Sequence, residues 1–187
     1  MNGTTKNLTL SAMFIALAII LPYIAMQNPV IAQTMLPMHF PILLCGLICG
    51  HRYGLIVGFI SPLMRGFMFG MPPLFPMGTA MAFELATYGF VAALVYYGLR
   101  RSASSLVSVY AALIAAMIAG RIVFVAAWIL FVGVIRGDEG FSWLAYATTF
   151  FTVDVVRGLP GIAAQLILIP VLVVALQRTG LLVSNEG

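Results

Sequence analysis

"FGMPPLFPMGTAMAFELATYG" occupies residues 69–89. Pro72, Pro73 and Pro76 fall close together, and an apolar helix pattern follows with one carboxylate, Glu84, well inside it. Proline fixes φ and removes a backbone donor, so the first half reads as a shaped loop. From Gly78 to about residue 99 nothing interrupts a helix. A carboxylate placed there costs too much to face lipid, so it is expected to face a cavity or a partner. The segment therefore predicts a loop at a membrane surface, followed by a span whose acid looks into a small-molecule pocket.

The rest of the chain agrees with a membrane setting. Of 187 residues, 63% are hydrophobic and 7% charged, and the mean hydropathy is +1.11. Soluble domains carry about 25% charged residues, which excludes a water-soluble globule. The net charge of +4 reads as membrane topology, not as a nucleic-acid surface. The apolar run near the start lacks a small-residue cleavage site and a soluble body after it, so it reads as a first span.

A helix needs about 20 apolar residues to cross the hydrocarbon core. Candidate spans are 7–26, 39–51, 54–70, 78–99, 105–135 and 154–177, which predicts an all-α, compact six-transmembrane-helix bundle forming a single domain over residues 1–187. The second and third spans are short and joined only by "HRYG", so they are expected to be sheltered by neighbours. The fifth is long enough to tilt, protrude or break around Gly133. With both termini cytoplasmic, Lys6, His51–Arg52, Arg100–Arg101 and Arg178 fall inside, as the positive-inside rule requires. The outer loops are then 27–38, 71–77 and 136–153. Their Pro, Gly, Met and aromatic content suits either lids folded back on the bundle or segments resting in the headgroup zone.

Ionisable residues left within the spans are Arg65, Glu84, Arg121, Asp154 and Arg157. At 1.5 Å per residue, Glu84 lies roughly 9 Å in from the outer end of its helix. The same counting puts the other four in the outer half as well, so these groups are expected to surround one externally reachable hollow. Ala80, Glu84, Thr87 and Tyr88 share a helix face, as do Met117, Arg121, Phe124 and Trp128. Asp154 and Arg157, three apart, are also placed to pair with each other. Arg65 is placed to meet either Glu84 or a ligand.

Catalysis finds no support. His39 and His51 lie at opposite ends of a span, no zinc-protease helix pattern occurs, and no Walker A loop is present to hydrolyse ATP. Cys45 and Cys49, four apart, lack the further ligands that a metal site requires and read as small packing residues. Neither a metal nor a cofactor is expected. No internal repeat of the kind common in secondary transporters is evident.

"SAMFIALAI" at residues 11–19 places Ala12 and Ala16 four apart, a spacing that lets another helix approach closely. On a first helix with its N-terminus inside, this resembles the docking motif of S components of energy-coupling factor (ECF) vitamin transporters. "LPMHFPILLCGLICG" at 36–50 and "GMPPLFPMGTAMAFELATYG" at 70–89 are similar to phrases in a subgroup that includes pantothenate-type members. The resemblance covers essentially the whole chain. It implies a substrate-binding membrane subunit of a prokaryotic-type plasma membrane. This subunit docks through Ala12 and Ala16 onto a transmembrane coupling subunit driven by two cytoplasmic ATPases, and topples in the bilayer to deliver its cargo. Mapped onto this chain, the resemblance directs attention to Gln33, His39, Glu84, Tyr88, Arg121, Asp154 and Arg157. Arg65 and Trp128 join them from depth and chemistry. A carboxylate with hydroxyls, such as pantothenate, suits an arginine plus an acid; a pyridoxine-type vitamin or a deazapurine precursor of queuosine would use the acid and the aromatics differently. Two other functions remain open: a stand-alone carrier coupled to protons through Glu84 or Asp154, and a non-transport scaffold whose buried charges only bind helices together.

Overall fold

The computed structural model describes residues 3–25, 34–135, 142–149, 152 and 155–178. Among them every regular element is helical. In chain order these are α1 (Gly3–Ala25), α2 (His39–Cys49), α3 (His51–Phe69), α4 (Thr79–Leu99), α5 (Ser105–Trp128), α6 (Trp143–Thr149) and α7 (Val155–Arg178). A kinked turn at Leu74–Gly78, with Phe75 extended at φ −130° and ψ 136°, precedes α4, and a wide π-type turn extends α5 at Ile129–Ile135. The break expected around Gly133 is thus a change of helix pitch that begins at Ile129.

Four segments are long and apolar enough to cross a membrane: Gly3–Ala25, Leu74–Leu99, Ser105–Ile135 and Val155–Leu176. Side-chain size is distributed in the manner of lipid-solvated bundles, where close backbone approach replaces hydrophobic collapse. Alanines such as Ala80, Ala82, Ala92, Ala112 and Ala116 are fully buried, whereas Ile20, Ile24, Ile118, Ile122 and Ile167 point outward and Phe67 is 84% exposed. Segment Leu74–Leu99 is the most enclosed of the four, and α4 within it packs against α2, α3 and α5.

Helix α2 has 11 residues, nine of them buried. At 1.5 Å per residue it is about 16 Å long, roughly half the hydrocarbon thickness, and its neighbours enclose it. "HRYG" is not a turn. Gly50 reverses the chain alone, with φ +96°, a region that residues with a Cβ avoid. The amide of Gly54 then donates to the Gly50 carbonyl at 3.0 Å, so His51–Gly54 form the first turn of α3. The Tyr97 hydroxyl donates to the Leu47 and Ile48 carbonyls at 3.2 and 3.4 Å, satisfying groups that the abrupt end of α2 leaves open.

Glycines set the central helix spacing. A Cβ on Gly89 would strike the backbone of Gly54, one on Gly46 would strike Gly89, and one on Gly58 would strike the Leu85 carbonyl. Helices α2, α3 and α4 therefore meet backbone to backbone, one turn beyond Glu84. On the other side of α4, a Cβ on Gly120 would lie 3.0 Å from the Tyr88 ring and 3.2 Å from the Glu84 carbonyl, which brings α5 equally near.

The proline stretch forms a compact entry to α4. Gly70, with φ +69°, closes α3 through its amide bond to Gly66 at 2.9 Å. The Gly78 amide donates to the Pro73 carbonyl at 2.8 Å, and the Thr79 hydroxyl donates to the Pro76 carbonyl at 2.8 Å. Phe75 reaches across to Phe131, with ring centroids 5.6 Å apart.

Candidate functional site

Glu84 lies in the second turn of α4 and is 2% exposed. One of its oxygens, Oε1, collects three neighbours from three helices. Arg121 Nη1, on α5, lies 3.0 Å away. The Tyr88 hydroxyl, one turn along α4, donates to it at 3.3 Å. His39 Nε2, at the start of α2, lies 3.9 Å away, and the His39 ring stands edge-on to Tyr88 at 5.0 Å. A carboxylate cannot remain ionised in an apolar interior without such compensation. The short guanidinium contact supplies the largest part of it, because charge-assisted hydrogen bonds are roughly twice as strong as neutral ones.

The arrangement follows from local sequence. The i, i+4 spacing brings Tyr88 to Glu84. Thr87, assigned to the same face, instead donates to the Phe83 carbonyl at 2.8 Å, a local bond that withdraws its hydroxyl from the cluster. Gly120 lets α5 come close enough for Arg121 to reach. Gly158, on α7, leaves room for the same guanidinium: a Cβ there would be 3.8 Å from Arg121 Nη2 and 3.3 Å from Leu36 Cδ1. A Cβ on Gly161 would meet the Thr34 carbonyl at 2.5 Å. The segment 34–36 and the start of α7 thus lie together beside Arg121.

From Arg121 an aromatic ladder runs toward the end of the bundle. Phe124 packs with Trp128 at 6.0 Å, and Trp128 stacks on Tyr146 of α6 at 5.5 Å with an interplanar angle of 7°. Part of the loop 136–153 therefore folds back on the bundle through α6. Phe83 and Phe131 extend the aromatic wall at 6.1 Å.

Of the residues singled out from sequence, Glu84, Arg121, Tyr88 and His39 come together. Trp128 is one step removed, through Phe124. Arg65 sits on α3 one turn from its end and is half-buried; Arg157 is exposed on α7. Gln33 and Asp154 lie outside the described residues, and with Asp154 the expected pairing to Arg157. Ala12 and Ala16 are both exposed on α1. Cys45 and Cys49 are buried free thiols, with Ser11 Oγ 3.9 Å from Cys45 Sγ. Among the described residues no group of three metal-ligating side chains occurs.

The gathered charges close on one another. Two grooves, of about 390 and 540 Å³, lie elsewhere: one between α1, α2 and α7 around Leu17, Phe40 and Leu168, the other between α5 and α7 around Tyr110 and Pro170. Both have apolar walls. The sequence reading overlooked Gln165, which is 1% exposed on α7 and whose amide nitrogen has no hydrogen-bond partner among the described residues. Its signal is a lone amide within the otherwise apolar run 159–176.

The family model for the ECF transporter, substrate-specific component, covers residues 6–173. No curated protein matches the chain, and no solved structure does.

Proposed function

The chain belongs to the family of ECF transporter substrate-specific components, and from that premise we propose that it captures pantothenate at the outer face of the plasma membrane and hands it inward. Membership makes it a multi-pass membrane protein and a transport subunit, the substrate-binding component of an ECF importer, which works with a coupling module that carries the ATPases. The finer reading is as follows.

One domain crosses the bilayer six times, with α2 and α3 as the two short spans added to the four long ones and both termini cytoplasmic. Lys6, Arg52, Arg100, Arg101 and Arg178, grouped at one end by this path, support that orientation. The single observation that carries the binding site is the convergence of Arg121, Tyr88 and His39 on one buried oxygen of Glu84. Membrane interiors hold such polar groups where function requires them. Arg121 is assigned to the substrate carboxylate, and Glu84 and Tyr88 to its hydroxyls. Trp128 is assigned to the apolar side, and Gln33, Arg65, Asp154 and Arg157 are assigned to the approach. The outward exposure of Ala12 and Ala16 supports docking of α1 on a transmembrane coupling subunit served by two cytoplasmic ATPases.

Calorimetric titration of the purified chain with pantothenate, without ATP, tests this reading. Tight binding is expected, strongly weakened in Glu84→Ala and Arg121→Ala. Mass spectrometry of small molecules released on denaturation identifies the cargo independently; release of a pyridoxine-type vitamin or a deazapurine base would replace pantothenate. Uptake by vesicles holding this chain alone, abolished by collapsing the proton gradient, would overturn the importer reading in favour of a secondary carrier.

A further inference from the structure

Among the described residues three buried side chains carry polar atoms without a hydrogen-bond partner: Asn7, through Oδ1 on α1, and, on the helices around Arg121, His39 and Gln165. Both ring nitrogens of His39, which is 4% exposed, lack a hydrogen-bond partner, and so does the amide nitrogen of Gln165. Buried donors are almost always satisfied, and leaving one unmet costs stability. A glutamine serving only to bind helices together would bond across to a neighbour, as polar side chains in membrane bundles do. The Gln165 amide nitrogen does not.

Its position suggests why. Gly158, Gly161, Gln165, Ile169 and Val173 form the buried stripe of α7, a face spaced at three to four residues. That stripe passes Arg121 at Gly158 and the segment 34–36 at Gly161. Gln165 follows one turn deeper, on a helix packed against both α2, which begins with His39, and α5, which carries Arg121. Seven residues separate Gln165 from Gly158, about 10 Å of rise.

We propose that Gln165 is the floor of the substrate site, its amide donating to an uncharged oxygen of the substrate while Arg121 holds the anionic end. This rests on the capture reading above and narrows it. The substrate class is a small elongated molecule with an anionic group at one end and a neutral hydrogen-bond acceptor, an amide carbonyl or a hydroxyl, up to about 10 Å away. His39 is the second donor to such an acceptor.

Gln165→Leu and Gln165→Met, both close to glutamine in volume, test this in two arms. The first needs no substrate: thermal unfolding of the purified apo protein is expected at the wild-type temperature or a few degrees above it, because an unmet donor has been removed. A fall of several degrees in both variants would overturn the inference, since the amide would then be serving the fold. The second arm measures pantothenate affinity, expected to weaken about ten- to a hundredfold; unchanged affinity in either variant against a binding wild type would also overturn it. Failure of the wild type to bind pantothenate would count against the assigned cargo, while a fall in the apo melting temperature of both variants would still overturn the inference about Gln165; the affinity arm is then run with the small molecule released from the denatured protein.

Discussion

Replacing Arg121 with Met would leave the Glu84 carboxylate, 2% exposed, without its contact at 3.0 Å, while the Tyr88 hydroxyl and His39 remained. Removing one partner of a buried ion pair costs about 3–5 kcal/mol, because the other charge stays behind. A domain of this size loses about 2–4 °C of unfolding temperature per kcal/mol. Arg121→Met is therefore expected to melt about 6–20 °C below wild type. Removing both charges is a different experiment. Buried pairs replaced by apolar side chains of similar volume are often neutral or stabilising, so the double variant Glu84→Met/Arg121→Met is expected to melt within a few degrees of wild type. Its uptake of labelled pantothenate in cells that supply the coupling module should nonetheless be lost. Two outcomes would refute the reasoning: additive destabilisation in the double variant, which would show that the two residues are not coupled, or normal uptake by it, which would reduce the pair to a structural tie.

Three further substitutions probe other parts of the molecule. Gly89→Val puts side-chain atoms into the backbone of Gly54, and overpacking of that kind costs about 1–3 kcal/mol or more; a markedly lower unfolding temperature, or no folded protein in the membrane fraction, is expected. Ala12→Trp, at an exposed position of α1, should leave substrate affinity within about twofold of wild type, since the site is not touched, yet abolish uptake; intact uptake would remove α1 as the docking helix. Trp128→Ala deletes both stacking contacts, to Phe124 and Tyr146. At about 0.5–1.5 kcal/mol for each aromatic pair, substrate dissociation should accelerate about tenfold, and an unchanged off-rate would show that α6 does not restrain the cargo.

How much of this could be read from the chain depends on how rare the informative residue is. Glu84 and Arg121 stand out because charge is scarce in so apolar a sequence, and counting rise per residue was enough to bring them to similar depth. The nearness of His39 was harder to see. It follows from α2 being so short that its first residue already lies beside Tyr88, and that depends on tertiary packing. Thr87 failed for a local reason: helical spacing gives the face on which a residue sits, but not whether its hydroxyl turns back to its own helix. "HRYG" misled because polar residues and glycine suggest a turn, whereas the positive φ of Gly50 does the turning one residue earlier. Gln165 is less conspicuous than a charge, although a solitary amide in a span also carries a desolvation penalty, a smaller one. The glycine contacts among α2, α3 and α4 depend on which helices meet, and spacing within one helix does not report that.

The pair at the centre also constrains how a substrate can enter. A membrane subunit that waits for cargo cannot hold an isolated guanidinium or carboxylate in an apolar interior, since either would shift its protonation or disrupt the bundle. Pairing Glu84 with Arg121 removes that cost and creates another, because a substrate that separates them must replace what each loses. A bare anion would satisfy Arg121 but leave Glu84 without its guanidinium partner, with the Tyr88 hydroxyl as its remaining donor. A molecule with a carboxylate and nearby hydroxyls compensates both, the first accepting from Arg121 and the second donating to Glu84. Glu84 engages Nη1, and Nη2 lies toward Gly158. At the proposed capture site, selectivity would then come from the pairing itself: a simple anion or a simple cation replaces only one member of the Glu84–Arg121 pair.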